Sequence, residues 1–137
     1  MKVLKFGGTS VQTPERVRTV IEIIKDEQQH DQFAVVFSAF GGATDHLIQM
    51  GKTSAAGDET YLTELELFED RFFSFVKTLI KAKNQSKVFA YLKSTLNELE
   101  DILNGVYLVK ELTPRTLDVI MSFGERLSCY IISQTMK

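Results

Sequence analysis

Apolar residues at Val3, Leu4 and Phe6, closed by Gly7-Gly8, predict a short strand over Lys2–Phe6 that ends in a tight turn. The spacing then changes. Val17, Val20, Ile21 and Ile24 fall at i, i+3, i+4 and i+7, one buried face of a helix. Thr13-Pro14-Glu15 gives that helix its start: a hydroxyl N-cap, proline at the first helical position and an acid in the first turn. Beyond the polar stretch Asp26 to Gln32, Phe33-Ala34-Val35-Val36-Phe37 is a continuous apolar run of strand length, of the sort covered on both faces in a parallel sheet. Strand, helix and strand in succession predict a βαβ unit with a right-handed crossover.

From Thr44 onward the period is helical. Thr44 to Ala56 carries Leu47, Ile48 and Met50 and stops at Gly57. Asp58 caps a long helix whose stripe is Leu62, Leu65, Phe68, Phe72, Phe75, Val76 and Leu79. Lys81 to Lys87 reads as a polar break before a third helix, with Val88, Tyr91, Leu92, Leu96, Leu99, Ile102 and Leu103, expected to end at Asn104-Gly105. Thr113-Pro114 repeats the cap-plus-proline start and opens a last helix through Leu117, Ile120, Met121, Leu127 and Ile131. No repeat, low-complexity tract or flexible linker interrupts the chain. Two strands make no stable sheet alone, and the last helix reaches Lys137 without a stop signal. The pattern therefore predicts the N-terminal part of a larger α/β protein.

Composition narrows the function. The 137 residues are 44% hydrophobic and 25% charged, as in a folded domain, and the net charge of −2 leaves no basic footprint for nucleic acid. One cysteine, Cys129, excludes an internal disulfide, and with only His30 and His46 beside it a zinc cage is not expected. The apolar stretch at the N-terminus is too short for a signal peptide, and no run approaches a membrane span; the expected compartment is the cytoplasm.

Candidate chemistry lies in three places. Lys5-Phe6-Gly7-Gly8-Thr9-Ser10 sets a cation, two glycines and two hydroxyls at a strand end, which suits a polyphosphate; the other reading is a tight turn beside an exposed lysine. The spacing is neither GxxxxGK[ST] nor GxGxxG. A lysine inside a strand at its carboxyl end is costly to cover without a partner, which favours the first reading. Ser38, Gly41, Gly42 and Thr44 form a second glycine-softened loop, expected on the same rim because ligands of open α/β sheets bind at the carboxyl ends of strands. It reads equally as a plain strand-to-helix connection with Thr44 as N-cap. The third place is Gly124-Glu125, a mid-helix glycine beside a carboxylate, which marks close approach of another backbone or a ligand; the alternative is a surface pair of Glu125 with Arg126. His46 reads as a packing or solvated histidine and Cys129 as a buried thiol. Glu64, Glu66, Glu69, Asp70 and Arg71 read as solvated-face residues, and the Phe68–Phe75 stripe as core.

Taken together, these three segments resemble the aspartokinases of the amino-acid-kinase superfamily. Lys5-Phe6-Gly7-Gly8-Thr9-Ser10-Val11 matches their N-terminal signature; Val35-Val36-Phe37-Ser38-Ala39 with Gly41-Gly42-Ala43-Thr44-Asp45 is similar to their second-strand loop, and Phe123-Gly124-Glu125-Arg126-Leu127-Ser128 to their Gly-Glu helix segment. Phe40-Gly41-Gly42-Ala43 departs in detail from that pattern. The helical stretch between Thr44 and Glu125 resembles the longer aspartokinases, including those fused to homoserine dehydrogenase.

The resemblance implies a partial carbamate-kinase-like three-layer αβα fold, class α/β: a βαβ core with two glycine loops over 1–43, a helical insertion over 44–112 and a substrate-site helix over 113–137. It implies transfer of the ATP γ-phosphate to the β-carboxylate of L-aspartate, the first step toward lysine, threonine and methionine, with Mg²⁺ held through the phosphates. Lys5 would be catalytic and, with Gly7, Gly8, Thr9 and Ser10, would bind the phosphates. Ser38, Thr44 and Glu125 would bind aspartate, and no residue here would ligate metal directly. Neither nucleic acid nor membrane is an implied partner. The full-length enzyme is expected to be a homo-oligomer, and these residues alone are expected to be inactive. A glutamate or acetylglutamate kinase and a non-catalytic helical interaction module are the competing readings.

Overall fold

The computed structural model describes every residue from Met1 to Lys137. Strand β1 (Lys2–Phe6) pairs in parallel with β2 (Phe33–Phe37), in a register running from Lys2 opposite Phe33 to Phe6 opposite Phe37. Helix α1 (Pro14–Glu27) connects them. Its start is as the sequence predicts: the Thr13 side chain accepts from the Arg16 N–H, Pro14 follows, and Val17, Val20, Ile21 and Ile24 are buried. A single 3-10 turn, Gly8–Val11, precedes it.

Four helices complete the chain: α2 (Ala43–Ala55), α3 (Tyr61–Leu79), α4 (Ala82–Val109) and α5 (Pro114–Met136). Helix α4 corrects two expectations. It begins at Ala82, so the polar stretch is its exposed first turns, and it runs through Asn104-Gly105 to Val109. Gly105 faces open space, and its cost of about 1 kcal/mol is offset because carrying the helix onward buries Val106 and packs Tyr107 against the core. The stop comes at Lys110, in the left-handed region with φ 57°. At α3, Asp58 Oδ1 accepts from the Thr60 N–H at 2.9 Å, and the buried stripe starts at Tyr61, leaving Leu62 exposed.

The sheet is covered on one side. Phe6, Phe33, Val35 and Phe37 pack against the core, whereas Val3, Lys5, Ala34 and Val36 face outward and are exposed. Within these residues β2 is therefore not buried on both faces, because the helices that follow it pack together on the side of α1. One hydrophobic cluster of 28 buried residues runs from Val11 to Ile132 and joins the βαβ unit to all four later helices. Phe40, on the loop after β2, is wedged into it, stacked on Phe75 (4.1 Å between ring centroids) and Phe72 (5.4 Å). No helix is long and apolar enough to cross a membrane.

Candidate active site

Parallel pairing brings the carboxyl ends of β1 and β2, and the loops behind them, to one rim. The first loop is a tight turn, as the sequence predicts, but it uses no left-handed glycine. Gly7 has φ −78° and ψ 174°, and the 3-10 turn closes with the Ser10 N–H donating to the Gly7 carbonyl at 3.0 Å. Gly8 lies against the second loop: a Cβ there would be in ordinary contact with the Ala39 carbonyl oxygen (3.4 Å) and Gly41 Cα (3.6 Å). A Cβ on Gly7 would meet nothing within 4 Å. The Gly7 backbone is thus bare toward open space, the condition under which N–H groups reach an anion.

The second loop, Ser38–Gly42, carries a left-handed residue. Gly42 has φ 82° and is the N-cap of α2, so Thr44 is the second residue of the helix instead of its cap, a correction to the sequence reading. A Cβ on Gly41 would sit 2.9 Å from Gln12 Cγ and 3.0 Å from the Gly8 carbonyl oxygen, so the two loops touch. The Ser38 N–H donates to the Phe6 carbonyl at 3.0 Å, and the Ser38 carbonyl accepts from Ser128 Oγ on α5 at 2.8 Å. One turn earlier on α5, a Cβ on Gly124 would lie 2.8 Å from Ala39 Cβ and 4.0 Å from Thr44 Oγ1. The mid-helix glycine does mark a close approach. It sets Glu125 beside the end of β2. Arg126 turns away to Glu98 (3.3 Å) and the Phe123 ring (4.5 Å), so no Glu125–Arg126 pair forms.

The side chains at this rim share one property. Lys5, Thr9, Ser10, Ser38, Thr44 and Glu125 make no side-chain hydrogen bond or ion pair within the chain; only their backbones are used. Elsewhere, hydroxyls such as those of Ser128 and Thr135 donate to main-chain carbonyls. Lys5 stands exposed on the open sheet face beside Val36, so it is not a cation covered within a strand, a correction to the sequence reading. Its claim rests on position and on having no partner. A cavity of about 330 Å³ opens beside the first loop, lined by Thr9, Ser10 and Arg16 with Phe6, Val20 and Ile23 among its walls. Arg16 Nη1 donates to the Thr9 carbonyl at 2.6 Å. A larger groove of about 710 Å³, between Met1, Phe33 and Met136, lies at the other end of the strands, away from both glycine loops.

Further residues depart from expectation. Cys129 is exposed, not buried, although its surroundings desolvate the thiol and push its pKa up, with the Glu125 carboxylate adding to the rise. Arg71 is not a solvated-face residue: its Nη2 donates to the Gly41 carbonyl at 2.6 Å. Arg16 and Arg71 both escaped the sequence reading, since each occupies a polar position of an amphipathic helix. The one signal available was Phe40, an aromatic inside a glycine loop that needs a buried floor. His46 packs edge-on against Phe68 with ring centroids 5.4 Å apart, as the packing reading expects.

The profile of the amino acid kinase family matches residues 1–137. The chain is 30% identical over 140 residues to the bifunctional aspartokinase/homoserine dehydrogenase of Buchnera aphidicola subsp. Acyrthosiphon pisum (strain APS), covering 100% of this chain and 17% of that protein. It is 34% identical to chloroplastic aspartokinase 1 of Arabidopsis thaliana, covering 96% of this chain and 22% of that one. The chain thus spans about a fifth of the length of these curated relatives. The crystal structure of E. coli aspartokinase III in complex with aspartate and ADP superposes with a TM-score of 0.81 over 98% of this chain and 28% of that one, at 22% identity. The likeness to that structure shows the α/β fold, with a parallel start and a mostly helical remainder. Two touching glycine loops at the carboxyl rim of a parallel pair, in a chain matched from end to end by one family's profile, place the protein in the amino acid kinase family.

Proposed function

We propose that this chain is the N-terminal part of an aspartokinase catalytic domain, and that the whole protein phosphorylates the β-carboxylate of L-aspartate from ATP. One observation carries the reading: six polar side chains singled out by the sequence stand unpartnered around two touching glycine loops on a single rim. Phosphoryl transfer asks mainly for positioning and charge neutralisation. The acceptor carboxylate is ionised at neutral pH and needs no general base. Two anions must be brought together, which requires cations and N–H donors around the transferring group. Lys5 supplies the charge, the Gly7 and Gly8 backbones with Thr9 and Ser10 line the phosphates, and the cavity beside Thr9 and Ser10 gives them room. Thr44 and Ser38 hold aspartate. Glu125 accepts its α-ammonium in a charge-assisted pair that separates an amino acid from a simple dicarboxylate.

Mg²⁺, which neutralises phosphate charge when bound, would be held through the nucleotide's own oxygens. The division into a βαβ core (1–43), helical insertion (44–112) and substrate-site helix (113–137), the homo-oligomeric state and the cytoplasmic location belong to the same reading. The test is ADP release by the full-length protein with aspartate, glutamate and acetylglutamate compared side by side. Turnover of aspartate alone is expected. Preference for either competitor assigns a sister kinase, and absence of ATP turnover with all three removes the enzymatic reading. Residues 1–137 by themselves are expected to release no ADP.

A further inference from the structure

Arg71 lies on α3, far in sequence from both glycine loops, yet it reaches each of them. Its Nη2 is 2.6 Å from the Gly41 carbonyl and 3.4 Å from the Gln12 carbonyl, just past the first loop. Its guanidinium carbon sits 5.7 Å from the Phe75 ring, the same ring that stacks on Phe40 one residue before Gly41. A Cβ on Gly42 would come within 3.9 Å of Nη1, so the left-handed turn lies beside the guanidinium. No carboxylate pairs with Arg71; its bonded acceptors are main-chain carbonyls. A half-buried arginine whose Nη2 donates to carbonyls of two separate loops bridges them through a single charged nitrogen.

We propose that Arg71 is a positioning residue that fixes the Gly41–Gly42 turn relative to the first loop, and through it the start of α2 and Thr44. Two turn bonds depend on this anchor: the Ala43 N–H to the Phe40 carbonyl (2.8 Å) and the His46 N–H to the Gly42 carbonyl (3.1 Å). Arg71 is not offered as a group that touches a reacting atom. It acts through Gly41. The inference deepens the aspartokinase reading, because the second loop is where that reading holds aspartate, but its structural half stands without it.

Hydrogen–deuterium exchange over residues 38–46 of the full-length protein, with wild type, R71M and R71K, reads that half directly and needs no substrate. R71M is expected to speed exchange at Ala43 and His46 by roughly tenfold or more, the loss of a charge-assisted hydrogen bond, while the strands and α5 keep their protection. R71K, which keeps the charge on a shorter, unbranched side chain, is expected to fall between. If R71M loosens the whole protein, R71K carries the comparison. Unchanged protection of residues 38–46 in the folded variants overturns the proposal. Kinetics supply the second readout: R71M is expected to raise the KM for aspartate at least fivefold, and the KM for ATP by less, since the Gly41 bond is the shorter of the two. Localised loss of protection without aspartate turnover in wild type would leave the anchor standing and fell the aspartokinase reading instead. An ATP KM that rises more than the aspartate KM overturns the assignment of Arg71 to the second loop.

Discussion

Two helix-interior glycines offer opposite outcomes for one chemical change. Gly105, in α4, is exposed, and a Cβ added there would meet nothing within 4 Å. Gly105→Ala should gain the full helix-propensity difference, about 1 kcal/mol. Gly124, in α5, is buried, and its added Cβ would lie 2.8 Å from Ala39 Cβ and 3.4 Å from Leu47 Cδ1. Carbon atoms rest about 3.5–4 Å apart, so the first contact falls short by roughly 1 Å. Ala39 is a methyl on buried main chain and cannot swing aside as a long side chain would. Overpacking of this kind costs about 1–3 kcal/mol, which meets or exceeds the propensity gain. Gly124→Ala should therefore lie between neutral and about 2 kcal/mol destabilised. For 137 residues at about 2.1 cal/mol/K per residue, each kcal/mol moves Tm by about 3–4 °C. Thermal denaturation should show G105A melting about 3 °C above wild type and G124A level with it or as much as about 7 °C below. Ala39→Gly in the G124A background should recover part of the loss by removing the opposing methyl. If G124A gains as much as G105A, helix α5 does not press on the second loop and the placement of Glu125 loses its support.

Four further outcomes follow from the site and the caps. On the proposed function, Lys5→Ala in the full-length protein should cut turnover at least a hundredfold in the coupled ADP assay while moving Tm little, because Lys5 is exposed and has no partner to lose; a large fall in Tm would mark it as structural. Glu125→Gln should raise the aspartate KM and leave that of ATP alone. The same variant should lower the pH midpoint of Cys129 alkylation: burial first, and the Glu125 carboxylate after it, raises the thiol pKa, and removing the negative charge eases thiolate formation. A midpoint that does not move would place that carboxylate away from the thiol. Thr113→Ala removes the oxygen that accepts from the Thr116 N–H at 3.1 Å and should cost about 1 kcal/mol by urea titration, with Thr113→Ser restoring it.

The elements most legible in the sequence were those whose signals are local. Thr13-Pro14 and Thr113-Pro114 fix φ and a cap oxygen at one place, and α1 and α5 begin there. The short apolar runs of Lys2–Phe6 and Phe33–Phe37 likewise marked both strands, and the helix between them marked their parallel pairing. What escaped was set by tertiary packing. Asn104-Gly105 carries a stop signal worth about 1 kcal/mol, and the burial of Val106 outweighs it. Exposure of Ala34 and Val36 depends on which side of the sheet the later helices take, and a five-residue apolar run does not record that. At the candidate site, glycines and hydroxyls could be read because their residue types are unusual at strand ends. Arg71 could not, because a helix period assigns it to water, and only the folded position of Phe40 turns it toward Gly41.

Phe40 has a consequence for anyone who would shorten the protein. Its ring is held by two aromatic rings of α3, in the middle of the stretch that looks dispensable on a diagram of the chain. Excising those helices as a cassette would leave a large apolar ring stranded in water one residue before a glycine turn, and would free the turn with it. A miniaturised version would have to supply a replacement seat for that ring before any question about its chemistry could be asked.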